Sequence, residues 1–373
     1  MVLASNVGGI FEEDFKKIKR PYTHLEIPIS SLPILYASFK RFTQNKLLLF
    51  VFKAMVFLLK NLFLIIFKNR NYKHIYNIVE KIKPNLIIGC NGGFPGGISC
   101  FDCINVGRIE NIRSWLTVVS MPQKKSFIEM LYAKSMISFD KLIVNSHNIA
   151  DEFIKTRPVL RDKVFVLHNC LPEDEILKEP IKQVQYRTQL TEFKIGYVGR
   201  IEHAKGVFYL INAFEKLAHE FSNLKLILVG SGTELEEVKA QCSLKSIEDK
   251  IEFTGYYAGK ISDIIKTFDL FVFPSLWEGL PYSILEAMAN SKVVISTNVG
   301  GIPEIITDGV NGFMVSPANS DELYLKMKEI IENRYDIDKI AFNSLNTIHS
   351  RFSESFFQNN LQSLFSDLGK IDC

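Results

Sequence analysis

The feature that most constrains the fold is a recurring pattern of a short apolar run, a glycine-containing loop and a helical segment. Phe193–Val198 ends at Gly199, Leu224–Val229 ends at Gly230, and the segment that follows each loop has the period of a helix. Short apolar strands that alternate with helices are typical of a parallel sheet covered on both faces. The sequence therefore predicts a doubly wound α/β domain in this half of the chain.

The first half of the chain follows the same plan. Apolar runs predict strands at Leu86 to Ile88, Trp115 to Val119, Lys141 to Asn145 and Val164 to Leu167. Ser146 or Asn148 is expected to cap the helix that follows the third of these strands. A chain of 373 residues is long enough for two domains, each with its own core.

The domain boundaries follow from where this pattern stops. Residues 171–190 lack an apolar period, are rich in charge and contain two prolines, which is typical of a linker. We predict an N-terminal domain over residues 1–170 and a C-terminal domain over residues 191–345. Residues 346–373 are expected to form a helical tail that packs back on the N-terminal domain.

Charge is divided unevenly between the two halves, although the net charge is only +3. Residues 1–170 carry 24 Lys and Arg against 12 Asp and Glu, a net charge of +12. Residues 171–373 carry 20 against 29, a net charge of −9. A basic half joined to an acidic half indicates that the first half faces an anionic surface.

Residues 40–83 concentrate this positive charge, with ten Lys and Arg and a single acid. Leu47 to Phe67 is almost wholly apolar, but Lys46, Lys53 and Lys60 recur every seven residues, which a helix aligns on one face. Lysines inside the run argue against a transmembrane span and favour a helix in the membrane interface, where lysines reach anionic headgroups. The alternative is a core-facing helix whose lysines point to solvent.

The six cysteines give a weaker signal. Cys100 and Cys103 have the CxxC spacing, but no second pair and no nearby histidine complete a zinc set. Free thiols are therefore the preferred interpretation, with a redox or metal role as the alternative. Because no secretory signal stands at the N-terminus, we expect a reducing, cytoplasmic environment.

The stretch from Asp269 to Glu286 predicts a strand from Leu270 to Phe273, a tight loop and a helix entered at Pro281. Glu278 lies in the loop, and Glu286 falls in the second helical turn among apolar neighbours, where a charge is costly without a partner. Open α/β sheets bind ligands just past the carboxyl ends of their strands, which is where this loop is expected. The residues alone allow either an acid/base pair or two ligand-binding carboxylates.

A second loop of this kind carries two cations. Arg200 and Lys205 follow the strand Phe193–Val198, in a loop bounded by glycines and followed by a helix. Such a loop suits a diphosphate, because Arg can clamp two oxygens and Lys adds a point charge at a helix N-terminus. Solvated surface cations are the alternative. Gly230 offers a further close approach to a ligand, and Tyr256 could pack against a planar base.

Three motifs in this half resemble those of the retaining family 4 glycosyltransferases. They are Gly199-Arg200…Lys205-Gly206, the run from Glu278 to Ala287, and Gly300-Gly301-Ile302-Pro303-Glu304. The resemblance covers residues 192–317 and extends more loosely to the strand and glycine-rich loop over residues 83–97. It implies the GT-B fold, in which two Rossmann-like doubly wound α/β domains face each other across a cleft.

The resemblance also implies roles for single residues. Arg200 and Lys205 would bind the nucleotide diphosphate and stabilise it as it leaves, in place of a metal. Glu286 would hold the ribose hydroxyls, and Glu278 would bind hydroxyls of the donor sugar near its reacting carbon. Further donor contacts are expected at Gly8, Gly9, Gly199, Gly230, Tyr256, Gly279, Leu280, Pro281 and Tyr282.

Two departures from the family stand out. Many members carry a histidine after the strand that corresponds to Trp115 to Val119, and here Ser120 or Met121 takes that place. Either a serine hydroxyl or the backbone fills the role, or activity is lower. The opening strand also looks shortened, so we expect the true start to lie upstream of Met1.

The one Asp-x-Asp, Asp336 to Asp338, is interpreted as helical surface rather than a metal site.

The sequence therefore predicts a retaining, metal-independent glycosyltransferase that takes a UDP- or GDP-sugar as substrate and uses no cofactor. Its expected acceptor is lipid-linked or a saccharide, in bacterial surface polysaccharide or lipopolysaccharide synthesis. It is expected at the inner face of the cytoplasmic membrane, bound to an anionic surface and not to nucleic acid. The alternatives are a non-catalytic subunit that binds a nucleotide-sugar, and a nucleotide-sugar epimerase or a phosphorylase with the same fold.

Overall fold

The computed structural model describes residues 2–6, 23–27, 48–49, 51–52, 55–56, 59–91, 94, 98–122, 135–182 and 192–366. Its contacts divide the chain into two compact units. One comprises Met1–Val144 with Glu152–Phe165, and the other comprises Asn145–Asp151 with Val166–Cys373.

The first unit contains two parallel sheets. One has two strands, β1 (Val2–Asn6) and β2 (Thr23–Ile27). The other has four strands in the order β3-β4-β5-β6, which are Leu86–Asn91, Arg113–Val118, Lys141–Val144 and Val164–Val166. The helices here are α1 (Lys60–Ile82), α2 (Ile98–Ile109), α3 (Ser135–Ser138) and α4 (His147–Thr156), whose first turn belongs to the second unit.

Helix α1 buries one face against the first unit. The buried side chains recur every three or four residues, as one helical face requires: Leu64, Phe67, Asn71, Ile75 and Val79. Ile75 and Val79 form a cluster with Val106 of α2. The core-facing helix is therefore observed here, although the side chains of Lys46, Lys53 and Lys60 lie outside the described residues.

The opposite face of this segment is apolar as well, and it is exposed. Residues 48–49, 51–52 and 55–56 are helical, and the N–H groups of Leu59 and Phe63 donate hydrogen bonds to the carbonyls of Met55 and Leu59. The exposed apolar side chains again recur at intervals of three or four: Leu48, Val51, Met55, Leu59, Leu62 and Ile66, which we call the exposed stripe. Among the described helices, none has the length and apolar character needed to cross a membrane.

The second unit is built on one parallel six-stranded sheet. Its order is β12-β11-β10-β7-β8-β9, with strands Phe313–Val315, Val294–Thr297, Leu270–Phe273, Phe193–Val198, Leu224–Val229 and Ile251–Gly255 respectively. All four residues of β10 are buried, because helices cover both faces of the sheet. This is the doubly wound architecture that the sequence predicts.

A helix follows each strand of this unit, and two more helices follow the one after the last strand. They are α5 (Val207–Glu220), α6 (Leu235–Leu244), α7 (Ile261–Lys266), α8 (Tyr282–Ala289), α9 (Ile302–Ile305), α10 (Ser320–Ile331), α11 (Ile337–Arg351) and α12 (Glu354–Ser366). Asp336 caps α11, since its carboxylate accepts a hydrogen bond from the Lys339 N–H at 3.1 Å. This carboxylate of the Asp-x-Asp motif thus satisfies a helix end.

The described part of the predicted linker, residues 171–182, packs on the second unit. The Leu171 N–H donates to the Phe352 carbonyl at 2.8 Å, and the Leu177 N–H donates to the Ala289 carbonyl at 3.1 Å. Leu171 is buried in the same core as Phe352, in the described tail. The last crossing of the chain between the two units falls at residues 165–166, and the described tail is grouped with the second unit.

The described cysteines are free thiols. Cys100 and Cys103 lie on α2, where burial raises the pKa of the Cys100 thiol to about 12 and raises the pKa of Cys103 as well. Because the thiolate is the reactive and metal-binding form, burial disfavours redox or metal chemistry at this CxxC.

Candidate donor-binding site

The sheet of the second unit has a topological switch point between β7 and β10. These two strands are neighbours, but the chain continues from β7 to β8 on one side and from β10 to β11 on the other. Loops that leave adjacent strands in opposite directions open a crevice at the carboxyl edge of the sheet, where doubly wound proteins bind their ligands. The loops at this point are residues 199–206 and 274–281, the two that sequence analysis singles out.

Backbone contacts hold these two loops together. Gly206 has a φ of +67°, and a Cβ there would lie 2.0 Å from the Pro274 carbonyl oxygen, so only glycine fits. The Leu276 N–H donates to the Ala204 carbonyl at 2.8 Å. As a result Lys205, at the end of a 3-10 turn, is directed at the loop that follows β10.

Lys205 and Glu278 form a buried ion pair at this switch point. Lys205 Nζ lies 2.5 Å from Glu278 Oε1, and the two side chains are 14% and 8% exposed. The Ser275 hydroxyl donates to the same carboxylate oxygen at 2.7 Å. A buried carboxylate is tolerated when it is paired and hydrogen-bonded in this way.

Arg200 does not join this pair. Its guanidinium is 67% exposed, and its Nη1 lies 2.8 Å from Glu202 Oε2. Burial keeps the nearby Tyr197 hydroxyl protonated by raising its pKa, and this hydroxyl donates to the Arg200 carbonyl at 2.7 Å. The backbone of Arg200 is therefore fixed at the crevice, while its side chain lies in solvent.

The loop after β11, which contains Gly300 and Gly301, packs against the backbone of Glu278 and Gly279. Gly300 has a φ of +56°, and a Cβ there would lie 2.0 Å from the Glu278 carbonyl oxygen. The Gly301 N–H donates to the Gly279 carbonyl at 2.8 Å. The Gly300-Gly301 pair thus permits a close backbone approach that fixes the position of Glu278.

Glu286 lies on α8 and lines a separate pocket of the same unit. Burial, with a smaller contribution from Glu175, raises the pKa of Glu286 to about 7. The Asn290 side-chain amide donates to the Glu286 carbonyl at 2.8 Å. The pocket is lined by Leu171, Asp174, Glu175, Lys260, Ile261, Ser262, Glu286 and Asn290. Its three carboxylates suit a ligand that donates hydrogen bonds.

The other predicted donor contacts divide into packed and exposed residues. A Cβ at Gly230, whose φ is +136°, would lie 1.9 Å from the Gly199 carbonyl oxygen, so backbone packing explains this glycine. A Cβ at Gly199 would lie 2.8 Å from the Tyr197 hydroxyl oxygen, so side-chain packing explains the other. Leu280 is buried, and its carbonyl accepts a hydrogen bond from the Asn169 amide at 2.7 Å. Tyr256 is 84% exposed and Tyr282 52% exposed.

Three further predicted positions complete this survey. Pro281 is the residue that precedes α8, with the extended backbone of a helix start. Gly8 and Gly9 lie outside the described residues. Ser120 follows β4 in the first unit and is half-buried.

Sequence reasoning missed a second carboxylate centre, at Glu304. Its carboxylate accepts hydrogen bonds from the His147 and Asn148 N–H groups, both at 2.9 Å, and contacts His168 Nε2 at 2.8 Å. Burial alone would raise the pKa of Glu304. The hydrogen bonds outweigh that effect and hold the pKa of Glu304 below its ordinary value. Glu304 therefore caps the N-terminus of α4, which a negative charge stabilises.

His147, His168 and Glu304 bring ligand atoms within 4.8 Å of one another, a grouping that could also hold a metal ion. The carboxylate oxygens of Glu304 already accept hydrogen bonds, which a helix cap explains fully. The sequence signal for Glu304 was the Gly-Gly-Ile-Pro-Glu motif, in which it is the last residue. No comparable motif marked Ser275 or Asn169. Metal independence stays a prediction.

Known proteins resemble this chain in sequence, most of all over its second half. Residues 178–344 match the family of glycosyl transferases group 1. An uncharacterized glycosyltransferase of Methanocaldococcus jannaschii is 29% identical over 57% of this chain and 56% of its own length. The capsular polysaccharide biosynthesis glycosyltransferase CapM of Staphylococcus aureus is 26% identical over 78% of each chain. The chain thus spans little more than half the length of the first of these relatives.

The fold has solved counterparts among glycosyltransferases. The crystal structure of Anabaena Alr3699/HepE in complex with UDP is similar to this structure with a TM-score of 0.68. The similarity covers 79% of this chain and 82% of that one, at 20% identity, and so bears on the fold alone. The chain has the α/β GT-B fold, and its residues 178–344 match the model of the glycosyl transferases group 1 family.

Proposed function

We propose that this protein is a retaining glycosyltransferase that moves a sugar from a nucleotide diphosphate sugar to an acceptor hydroxyl. The observation that carries the proposal is the buried Lys205–Glu278 pair at the switch point between β7 and β10. A cation and a carboxylate that lie side by side in a buried position can bind the two parts of a sugar diphosphate. The cation meets the phosphate, and the carboxylate meets the sugar hydroxyls.

In this proposal Lys205 stabilises the charge that develops on the diphosphate as the bond to the sugar breaks. Fixed charges in a water-excluded site often supply the largest catalytic term. Arg200 adds a second cation once its exposed side chain turns from Glu202 to the ligand. Two cations in these positions take the place of a metal ion, and no cofactor is required.

Glu286 binds the ribose in the same proposal. Burial raises the pKa of Glu286 to about 7, which disfavours its ionised form in the free protein. Ribose hydroxyls donate hydrogen bonds that favour the carboxylate, so the ligand stabilises the ionised form.

Retention of the anomeric configuration follows from a front-face attack. Retaining glycosidases use two carboxyl groups about 5 Å apart, one of them as nucleophile. Here the partner of Glu278 is Lys205, a cation. In this proposal the donor phosphate accepts the proton of the attacking hydroxyl, as the resemblance to the retaining glycosyltransferases implies. The acceptor oxygen forms its bond on the face from which the diphosphate departs.

We also propose an acceptor for surface polysaccharide or lipopolysaccharide synthesis, lipid-linked or a saccharide, used at the inner face of the cytoplasmic membrane. CapM, a relative over 78% of each chain, is a capsular polysaccharide glycosyltransferase. The exposed stripe on the α1 segment adds physical support. It lies opposite the buried face of the helix, in a segment with ten Lys and Arg against one acid. An apolar stripe with basic surroundings suits an anionic lipid surface.

Flotation with liposomes tests the membrane proposal. We expect the wild type to float with anionic vesicles and a Leu48/Val51/Leu62→Ser variant to lose most of this binding, since these side chains are each more than half exposed. An Ile109/Val159→Ser variant changes exposed apolar residues elsewhere in the unit and should float like the wild type. Equal flotation of all three proteins would reject the stripe as the lipid-binding surface.

A donor panel tests the function itself. Purified protein is incubated with UDP- and GDP-sugars, and release of the nucleoside diphosphate is measured with and without a bacterial lipid extract. We expect release from at least one donor, stimulated by the extract. Donor binding without any release would instead support the non-catalytic subunit, an alternative motivated by Ser120 at the place of the usual histidine.

A further inference from the structure

Both cations expected to bind the donor diphosphate already form an ion pair with a carboxylate. Lys205 pairs with Glu278, and these side chains are 14% and 8% exposed. Arg200 pairs with Glu202, and these are 67% and 29% exposed. Water screens the second pair, so breaking it costs little, whereas breaking the first leaves a buried carboxylate without its cation.

We propose that donor binding exchanges the partner of Glu278. The diphosphate takes over Lys205, and the hydroxyls of the donor sugar replace Lys205 at the Glu278 carboxylate. This inference rests on the proposed function, because it assumes that the diphosphate binds beside Lys205.

Ser275 is the positioning residue of this exchange. Its hydroxyl donates to Glu278 Oε1, the oxygen that also contacts Lys205 Nζ. In the described residues no hydrogen bond reaches Glu278 Oε2. When Lys205 turns to the phosphate, Ser275 still holds one oxygen, and the other is oriented for the sugar.

The exchange distinguishes the intact donor from the nucleoside diphosphate product. The donor supplies both a phosphate for Lys205 and hydroxyls for Glu278. The product supplies only the phosphate, and so leaves a buried carboxylate close to another anion. After transfer, the Lys205–Glu278 pair forms again and displaces the product.

Calorimetric titration of the purified protein with UDP, GDP, UDP-glucose and GDP-mannose tests the exchange. For the base that binds, we expect the wild type to prefer the nucleotide sugar over the diphosphate by about tenfold or more. Glu278→Gln should strengthen diphosphate binding about tenfold and abolish this preference. The matched variant Glu202→Gln, at the exposed pair, should change diphosphate binding less than about threefold.

A double-mutant cycle separates exchange from a general charge effect. In a Lys205→Met background, Glu278→Gln should no longer strengthen diphosphate binding, because the pair is already absent. Equal strengthening in both backgrounds would overturn the proposal, as would unchanged or weaker binding in Glu278→Gln.

If the thermal melt shows that Glu278→Gln does not fold, the affinities of the wild type for the diphosphate and the nucleotide sugar test the exchange instead. Equal affinity for the diphosphate and the nucleotide sugar would then overturn the exchange. Donor binding without any sign of exchange leaves the proposed function standing. A wild type that binds none of the four ligands removes the proposed function, and the exchange with it.

Discussion

Replacing Lys205 with alanine is expected to lower turnover by about 10²- to 10³-fold, the size of effect seen when one preorganised charge-stabilising group is lost. The ammonium lies at the switch point, where charge develops on the diphosphate. Glu278→Ala should lower turnover as well, because it removes the group that orients the sugar. The measurement is the rate of nucleoside diphosphate release at saturating donor.

The same substitution should also destabilise the protein, and the two effects can be separated. Removing one partner of a buried ion pair typically costs about 3–5 kcal/mol, because the other charge stays uncompensated. The double variant Lys205→Ala/Glu278→Gln removes both charges, so it should regain stability in a thermal melt yet remain inactive. Lys239→Ala breaks an exposed pair with Glu236 and should change neither property. Wild-type turnover in Lys205→Ala would show that Lys205 has no catalytic role.

Gly300→Ala is expected to reduce turnover about a hundredfold without touching a ligand-binding side chain, as displacements near an ångström can do. Its Cβ would lie 2.0 Å from the Glu278 carbonyl oxygen, so the loop that carries Glu278 must move. The backbone φ of +56° adds a conformational cost of roughly 1–2 kcal/mol for a residue with a side chain.

Gly309→Ala is the matched control for this substitution. Gly309 has a φ of +70°, but nothing lies within 4 Å of a Cβ placed there. It should therefore show the conformational cost in a thermal melt and keep its turnover. If Gly300→Ala retains full activity, or if both variants lose activity equally, the glycine contact does not position Glu278.

Much of the second unit was readable from the sequence because its strands are buried on both faces. β7, β8 and β10 begin and end at the predicted residues, since each is an apolar run that stops at a loop signal. β2 and β12 were not predicted. β2 alternates apolar and polar residues over only five positions, and β12 has three residues after a glycine turn.

The site was readable in part only. The loops of Lys205 and Glu278 could be predicted individually, but their pairing joins residues 73 positions apart and depends on β7 and β10 being neighbours in the sheet. The solvent-facing position of Arg200 could not be predicted either, because its neighbour Glu202 is available as a partner before any ligand arrives. Glu304 could be assigned to a motif but not to a role. The fold shows the role, because the first N–H group of α4 donates a hydrogen bond to its carboxylate.

The exposed stripe shows the same limit in the first unit. Apolar residues over 47–67 predicted a helix with lysines along one face, and the periodicity alone could not say which apolar side would face the core. The fold turns Leu64 and Phe67 inward and leaves Leu48, Val51 and Leu62 exposed.

The most direct test of the central claim is mass spectrometry of the product formed from a donor sugar and a bacterial lipid extract. The account predicts that one acceptor gains the mass of a single sugar residue with the wild type, and gains none with Lys205→Ala. Donor that binds and is never transferred, with no acceptor changing in mass under any UDP- or GDP-sugar, would contradict it.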